Sequence, residues 1–243
     1  MSQPLSNFDG QKPQLVVDIK NQLNDAVTIV VVHKDKPEFL NICLQSITVM
    51  SSNNNYEVVV VDNGSGPESQ KFLDEIENHV KVVRNPKNMY WSAAANQGLK
   101  AADINTKYVI FMHCDVVILN PSWMDLLINV CESNNSGMIG IESGTCRLFN
   151  QNLPFVQEWL VLFSKDALKR AGGWPEELPM IGHSFIMTLK TQVRGFKPQV
   201  MANNIAHHYK IFSIDINEYE RIEEESKKLL PMVYQKAQSR SVI

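Results

Sequence analysis

No two of the four cysteines, Cys43, Cys114, Cys131 and Cys146, form a C-x-x-C pair. Cys43 and Cys114 lie in apolar runs, so reduced, buried thiols are expected rather than disulfides. No apolar run approaches the ~20 residues that cross a bilayer, and the opening "MSQPLSNFDG" lacks a signal-peptide core. A soluble, cytoplasmic protein is the expectation. No Lys/Arg block is present, and 23 basic against 26 acidic residues leave a net charge of −3. That balance argues against a nucleic-acid or anionic-membrane partner. Internal repeats and low-complexity tracts are also missing. What is left, at 243 residues with 44% hydrophobic and 20% charged, has the composition of an ordinary globular chain long enough for one sizeable domain.

Strand and helix patterns alternate along the first half of the chain. "VTIVVVH" (27–33) is a continuous β-branched run, the mark of a strand buried on both faces. "PEFLNICLQSI" follows, with apolar residues at helical spacing and Pro37 suited to a first turn. A second buried strand, "YEVVVVD", ends at Asp62 before a turn-rich loop. Then come the helix "PESQKFLDEIE", the short strand "VKVVRNP", the small-residue helix 92–102, and the strand in "YVIFMHCDVVILNP" (108–121). Such alternation predicts a mostly parallel, doubly wound α/β sheet flanked by helices. After residue 140 the pattern loosens. The charged tail "NEYERIEEESKKLLPMVYQ" reads as a solvated helix ending at Pro231. The expected organisation is an extension over 1–25, a domain over 26–215, and a helical tail over 216–243.

Ligands of parallel α/β sheets bind at the carboxyl ends of the strands. Asp35, Asp62 and Asp115 all fall at such ends. Singly, each suits a turn or a helix cap; together they suggest a site. Asn96 lies inside a helix, where asparagine is a poor residue unless something uses it. Asn88 suits a turn or a ligand equally.

Taken in order, these segments resemble the family-two nucleotide-sugar glycosyltransferases of GT-A fold over roughly residues 26–210. "VTIVVVHKDKPEFLNICLQSI" is similar to the family's first strand, nucleotide loop and helix, and "EVVVVDNGSG" to its second strand and Asp-x-x-Ser loop. "NMYWSAAANQGL", "YVIFMHCDVVILNP", "LVLFSKDALKRAGGWPEEL" and "AHHY" are similar to its asparagine segment, acidic metal motif, acceptor-side turn and late histidine. The resemblance implies a Rossmann-like sheet and transfer of a sugar from a nucleoside-diphosphate donor to a hydroxyl of a glycan or glycoconjugate, with inversion. It implies a divalent cation, Mn²⁺ or Mg²⁺, on Asp115, with His113 in place of the motif's first acid and a late histidine contributing. His208 is preferred over His207, since only one of an adjacent pair points inward. It places His33, Asp35, Asp62, Asn88, Asn96, His113 and Asp115 around the donor, and Trp174 and Glu176 on the acceptor side. Trp91 and Trp174 suit sugar stacking or the core equally.

One departure stands out. The Glu-Asp pair that supplies the family's base falls here on His183-Ser184, and its third acid on Ile186. His183 can be the base itself, a carboxylate such as Glu158 can arrive from elsewhere (Glu176 and Glu177 are other sources), or the domain binds a nucleotide sugar or carbohydrate without transferring it. A nucleotidyltransferase is disfavoured, because no Gly-rich, Lys/Arg-containing loop follows the first strand.

Overall fold

A computed structural model describes residues 27–51, 55–201, 204–211 and 215–239. The expected extension over 1–25 lies outside the described residues. A sheet of seven strands forms the centre. These are β1 (Val27–His33), β2 (Tyr56–Asp62), β3 (Lys81–Arg84), β4 (Tyr108–His113), β6 (Met138–Gly140), β9 (Leu160–Ser164) and β10 (Gln199–Val200). Their spatial order is β10-β6-β9-β4-β1-β2-β3. β1 pairs in parallel with β2 and β4, and β9 runs antiparallel to β4 and β6.

The β-branched runs form central strands because helices cover both of their faces. Ile29, Val31, Val58, Val60, Ile110 and Met112 pack with Leu40, Cys43, Leu44 and Ile47 of α1 (Pro37–Met50). α2 (Pro67–Ile76) and α4 (Trp123–Ser133) complete that layer. On the other face, Val30, Val59, Val61, Val109 and Phe111 meet Trp91, Ala94 and Ala95 of α3 (Tyr90–Ala101). The small residues of α3 let it sit close to the sheet. A Cβ on Gly98 would stand 2.2 Å from Val30 Cγ1. α5 (Lys165–Ala171) and α6 (His183–Gln192) extend this second layer. All four cysteines are free.

Two outlying ribbons complete the described fold. β5 (Val116–Ile118) pairs antiparallel with β11 (Ala206–His208), and β7 (Ser143–Leu148) with β8 (Gln151–Val156). The tail departs from the sequence reading in two ways. Its helix, α7 (Ile216–Ser239), runs straight through Pro231, and it is not simply solvated. Val233 and Ala237 are buried, packing with Phe185 and Ile186 of α6. A proline inside a helix loses one backbone bond and crowds the preceding turn; apolar contacts on both sides of it hold the helix together. Among the described residues no helix is long and apolar enough to cross a membrane.

Candidate active site

The parallel register brings strand ends to one edge. His33 lies opposite Asp62, and Val32 opposite His113. Above this edge opens a cavity of about 490 Å³ whose wall includes Asn88, Trp91, His113, Asp115, Glu158, His183 and His208.

Three of these residues form a donor cluster. β4 ends at His113, a tight turn presents Asp115, and the β5–β11 ladder sets His208 opposite Val116. One ligating atom from each of His113, Asp115 and His208 lies within 4.8 Å of the others. Asp115 Oδ1 is 3.2 Å from His208 Nε2, and its Oδ2 accepts from the backbone N–H of Ile211 at 2.7 Å. Burial pushes the Asp115 carboxyl upward, but His208 and the Ile211 N–H outweigh it and hold the group below its ordinary value. His113 is pushed down to about 4 by burial, against the opposing pull of Glu158, so its imidazole is neutral at pH 7. His208 stacks on Trp159 with ring centroids 4.9 Å apart, and Trp91 lies 4.5 Å from His113. His113 Nε2 and His208 Nδ1 are buried without hydrogen-bond partners. Two imidazoles and one carboxylate make a donor set that fits a divalent cation.

A second cluster adjoins it. Glu158, just before β9, reaches the first turn of α6. Its Oε2 accepts from Ser184 Oγ at 2.5 Å, while Oε1 lies 3.6 Å from His183 Nε2 and 3.9 Å from His113 Nε2. Burial raises the Glu158 carboxyl, yet His183, His113 and Ser184 together hold it far below the carboxylate range. His183 is 2% exposed, and both its ring nitrogens are without hydrogen-bond partners.

Other sequence-selected residues do not line the cavity. Asp62 is fully buried and accepts from Ser65 N at 3.1 Å and Gln70 Nε2 at 2.5 Å. Asp35 accepts from Gly66 N at 2.7 Å and pairs with Lys34 at 3.0 Å. Burial raises its carboxyl, but Gly66 and Lys34 bring it below the ordinary value. His33 is fully buried and lies 3.2 Å from Ser69 Oγ. Asn96 grips the backbone of Trp174 and donates to Glu176 at 2.8 Å. Trp174 is a core residue, 2% exposed, among Trp91, Phe111 and Phe163. His207 is exposed and packs on Tyr209. Glu177 pairs with Lys236 of α7.

Sequence reasoning missed several cavity residues: Lys34, Lys36, Asn63, Tyr90, Lys210 and Tyr219. Asn63 had a signal in its place beside Asp62 at a strand end. Its amide donates to Asn88 Oδ1 at 2.9 Å and its carbonyl accepts from Met89 N at 2.8 Å, so it fixes the loop entering α3. Tyr90 carried none. It adopts a left-handed backbone, φ 58°, and its hydroxyl donates to Glu218 of α7 at 2.6 Å.

Comparison with known proteins bears on the family and the fold. The sequence model for "Glycosyl transferase family 2" matches residues 28–188. Chondroitin synthase of Escherichia coli is 30% identical over 125 residues, 50% of this chain and 18% of that protein. The O-antigen biosynthesis protein RfbC of Myxococcus xanthus is 24% identical over 115 residues, 47% of this chain and 9% of that one. This chain thus spans less than a fifth of either curated relative. Among solved structures, the mannosyltransferase PcManGT from Pyrobaculum calidifontis, in complex with GDP-Man and Mn²⁺, superposes with a TM-score of 0.65 at 17% identity, covering 93% of this chain and 68% of that one. Residues 1–349 of TarS from S. aureus, in complex with UDP-GlcNAc, give 0.61 at 14% identity, covering 89% and 69%. At such identities the likeness is one of fold, and that fold is GT-A. With the family match extending from β1 into α6, the chain belongs to glycosyl transferase family 2.

Proposed function

We propose that the chain transfers a sugar from a nucleoside-diphosphate donor to a hydroxyl of a glycan or glycoconjugate, with a divalent cation and with inversion. The observation that carries this reading is the His113–Asp115–His208 cluster, set in the wall of a cavity at the carboxyl edge of parallel strands. The solved relatives bound to GDP-Man with Mn²⁺ and to UDP-GlcNAc support the donor class.

His113, Asp115 and His208 would hold the cation, Mn²⁺ in preference to Mg²⁺. When bound it supplies positive charge to a donor diphosphate and its leaving group. Lys34, Lys36 and Lys210 line the same cavity and add to that charge. Asn88 and Trp91 on the wall offer an amide and a ring face to the donor. Asp35, Asp62, His33 and Asn96 do not line the cavity, and their hydrogen bonds hold the loops and helices around it. Trp174 and Glu176 brace the acceptor-side turn. The acceptor oxygen attacks the anomeric carbon from the face opposite the diphosphate, which inverts that centre.

The test is thermal stability of the full chain with UDP, GDP and dTDP, with and without Mn²⁺. One nucleotide that raises Tm only with Mn²⁺, and fails to do so in Asp115→Ala, supports the reading. No shift with any nucleotide under either condition sinks it.

A further inference from the structure

Transfer to a hydroxyl requires somewhere for a proton to go. The α6 start holds no acid, but its first residue has an unusual environment. His183, 2% exposed, lies in the cavity wall against Trp174 at 5.6 Å and Trp91 at 6.2 Å, and neither ring nitrogen has a hydrogen-bond partner. Buried polar atoms are rarely left in that state. Nε2 faces Glu158 Oε1 at 3.6 Å, and the other oxygen of Glu158 is taken by the Ser184 hydroxyl. One ring nitrogen is therefore turned to a fixed carboxylate while Nδ1 is uncommitted. These are the parts of an imidazole base and its orienting carboxylate, which an acceptor entering the cavity has to draw into hydrogen-bond distance.

Resting on the reading above, we propose that His183 is the general base of the transfer and that Glu158, brought from another segment, is its positioning residue. Proton and electrons balance. The acceptor O–H gives its proton to His183 Nδ1, and the oxygen pair forms the new bond to the anomeric carbon. The bond from that carbon to the diphosphate breaks, and its electrons leave with the nucleoside diphosphate. The positive end of α6 opposes an imidazolium at the helix's first residue. The Glu158 carboxylate compensates that charge as it forms. Ser184 keeps the carboxylate aimed, so both residues standing at the family's acidic pair are used.

The experiment uses the full chain with Mn²⁺. UDP, GDP and dTDP are titrated into the wild type, His183→Ala, His183→Asn and Glu158→Gln. Nucleoside diphosphate release from UDP-GlcNAc and GDP-Man is then followed with water as the acceptor. All variants are expected to bind the preferred diphosphate within about threefold of the wild type. In both His183 variants kcat is expected to fall by about 100-fold or more, the contribution of a general base, and in Glu158→Gln by about tenfold, with KM unchanged in each. Imidazole is expected to restore at least tenfold in His183→Ala and nothing in Glu158→Gln, which separates the proton acceptor from the residue that orients it. The assignment is overturned if either His183 variant keeps more than a third of the wild-type kcat. It is also overturned if His183→Ala still binds nucleotide but imidazole gives no recovery, or if the wild type binds nucleotide and releases none from either donor. A wild type that binds no nucleoside diphosphate overturns the proposed function itself.

Discussion

Asn96 and Trp174 are joined by a two-way clasp: the Trp174 N–H donates to Asn96 Oδ1 at 2.9 Å, and Asn96 Nδ2 donates to the Trp174 carbonyl at 3.0 Å. A mid-helix asparagine thereby replaces the pairing that a sheet would give this buried turn. Asn96→Ala leaves both backbone groups unpaired, which costs about 2–4 kcal/mol. In urea the midpoint should fall with little change in slope. Asn96→Asp should destabilise at least as much at pH 7, because a carboxylate would then face the Trp174 carbonyl and Glu176.

Gly98 tests how closely α3 must approach the sheet. Alanine would favour the helix by about 1 kcal/mol on propensity alone. Its Cβ, however, would meet Val30 Cγ1 at 2.2 Å and Val61 Cγ2 at 3.0 Å. Overpacking wins, and Gly98→Ala should destabilise by about 1–3 kcal/mol. Adding Val30→Ala should then cost less than the same change made in the wild type, a coupling readable in a double-mutant cycle.

His33 gives a pH dependence of definite sign. Burial pushes it down to about 4, although Asp62 and Asp35 pull the other way. The unfolded chain binds this proton at about 6.5, so the unfolded state gains protons first as pH falls. Stability should drop between pH 6.5 and 4, by up to about 1.4 kcal/mol per pH unit for this residue. His113, also near 4, adds a slope of the same sign. Denaturation across that window should show the slope roughly halved in His33→Gln.

Tryptophan emission should report the cation. Trp159 stacks on His208 and Trp91 lies tilted against His113, whereas Trp123 is fully buried with its N–H on Ser51. Mn²⁺ should quench the wild type, and most of that quenching should vanish when Trp91 and Trp159 are both changed to Phe. Undiminished quenching in that double variant would move the cation away from these histidines.

Strand–helix alternation made the first half of the fold legible, because each central strand is a β-branched run that has to be covered on both faces. The β7–β8 hairpin was not. Its turn, Phe149-Asn150, takes positive φ at both residues (48° and 60°) without the glycine that usually marks such a turn. The continuation of α7 past Pro231 was hidden for another reason: proline's penalty is local, while its compensation comes from α6, which the sequence cannot show as a neighbour. In the site, the strand-end residues His113 and Asp115 could be picked out from the pattern. The meeting of Glu158 with His183 and Ser184 could not, since no spacing along the chain relates the segment before β9 to the start of α6.

The β5–β11 ladder has a consequence for biosynthesis. Six of the seven central strands precede residue 165, whereas His208 and the Ile211 N–H that holds Asp115 follow all seven. A ribosome therefore releases most of the sheet before it releases the last member of the donor cluster. A nascent chain can lay down the Rossmann-like half with Asp115 still lacking two of its partners, so the donor cluster closes only after the sheet around it has formed.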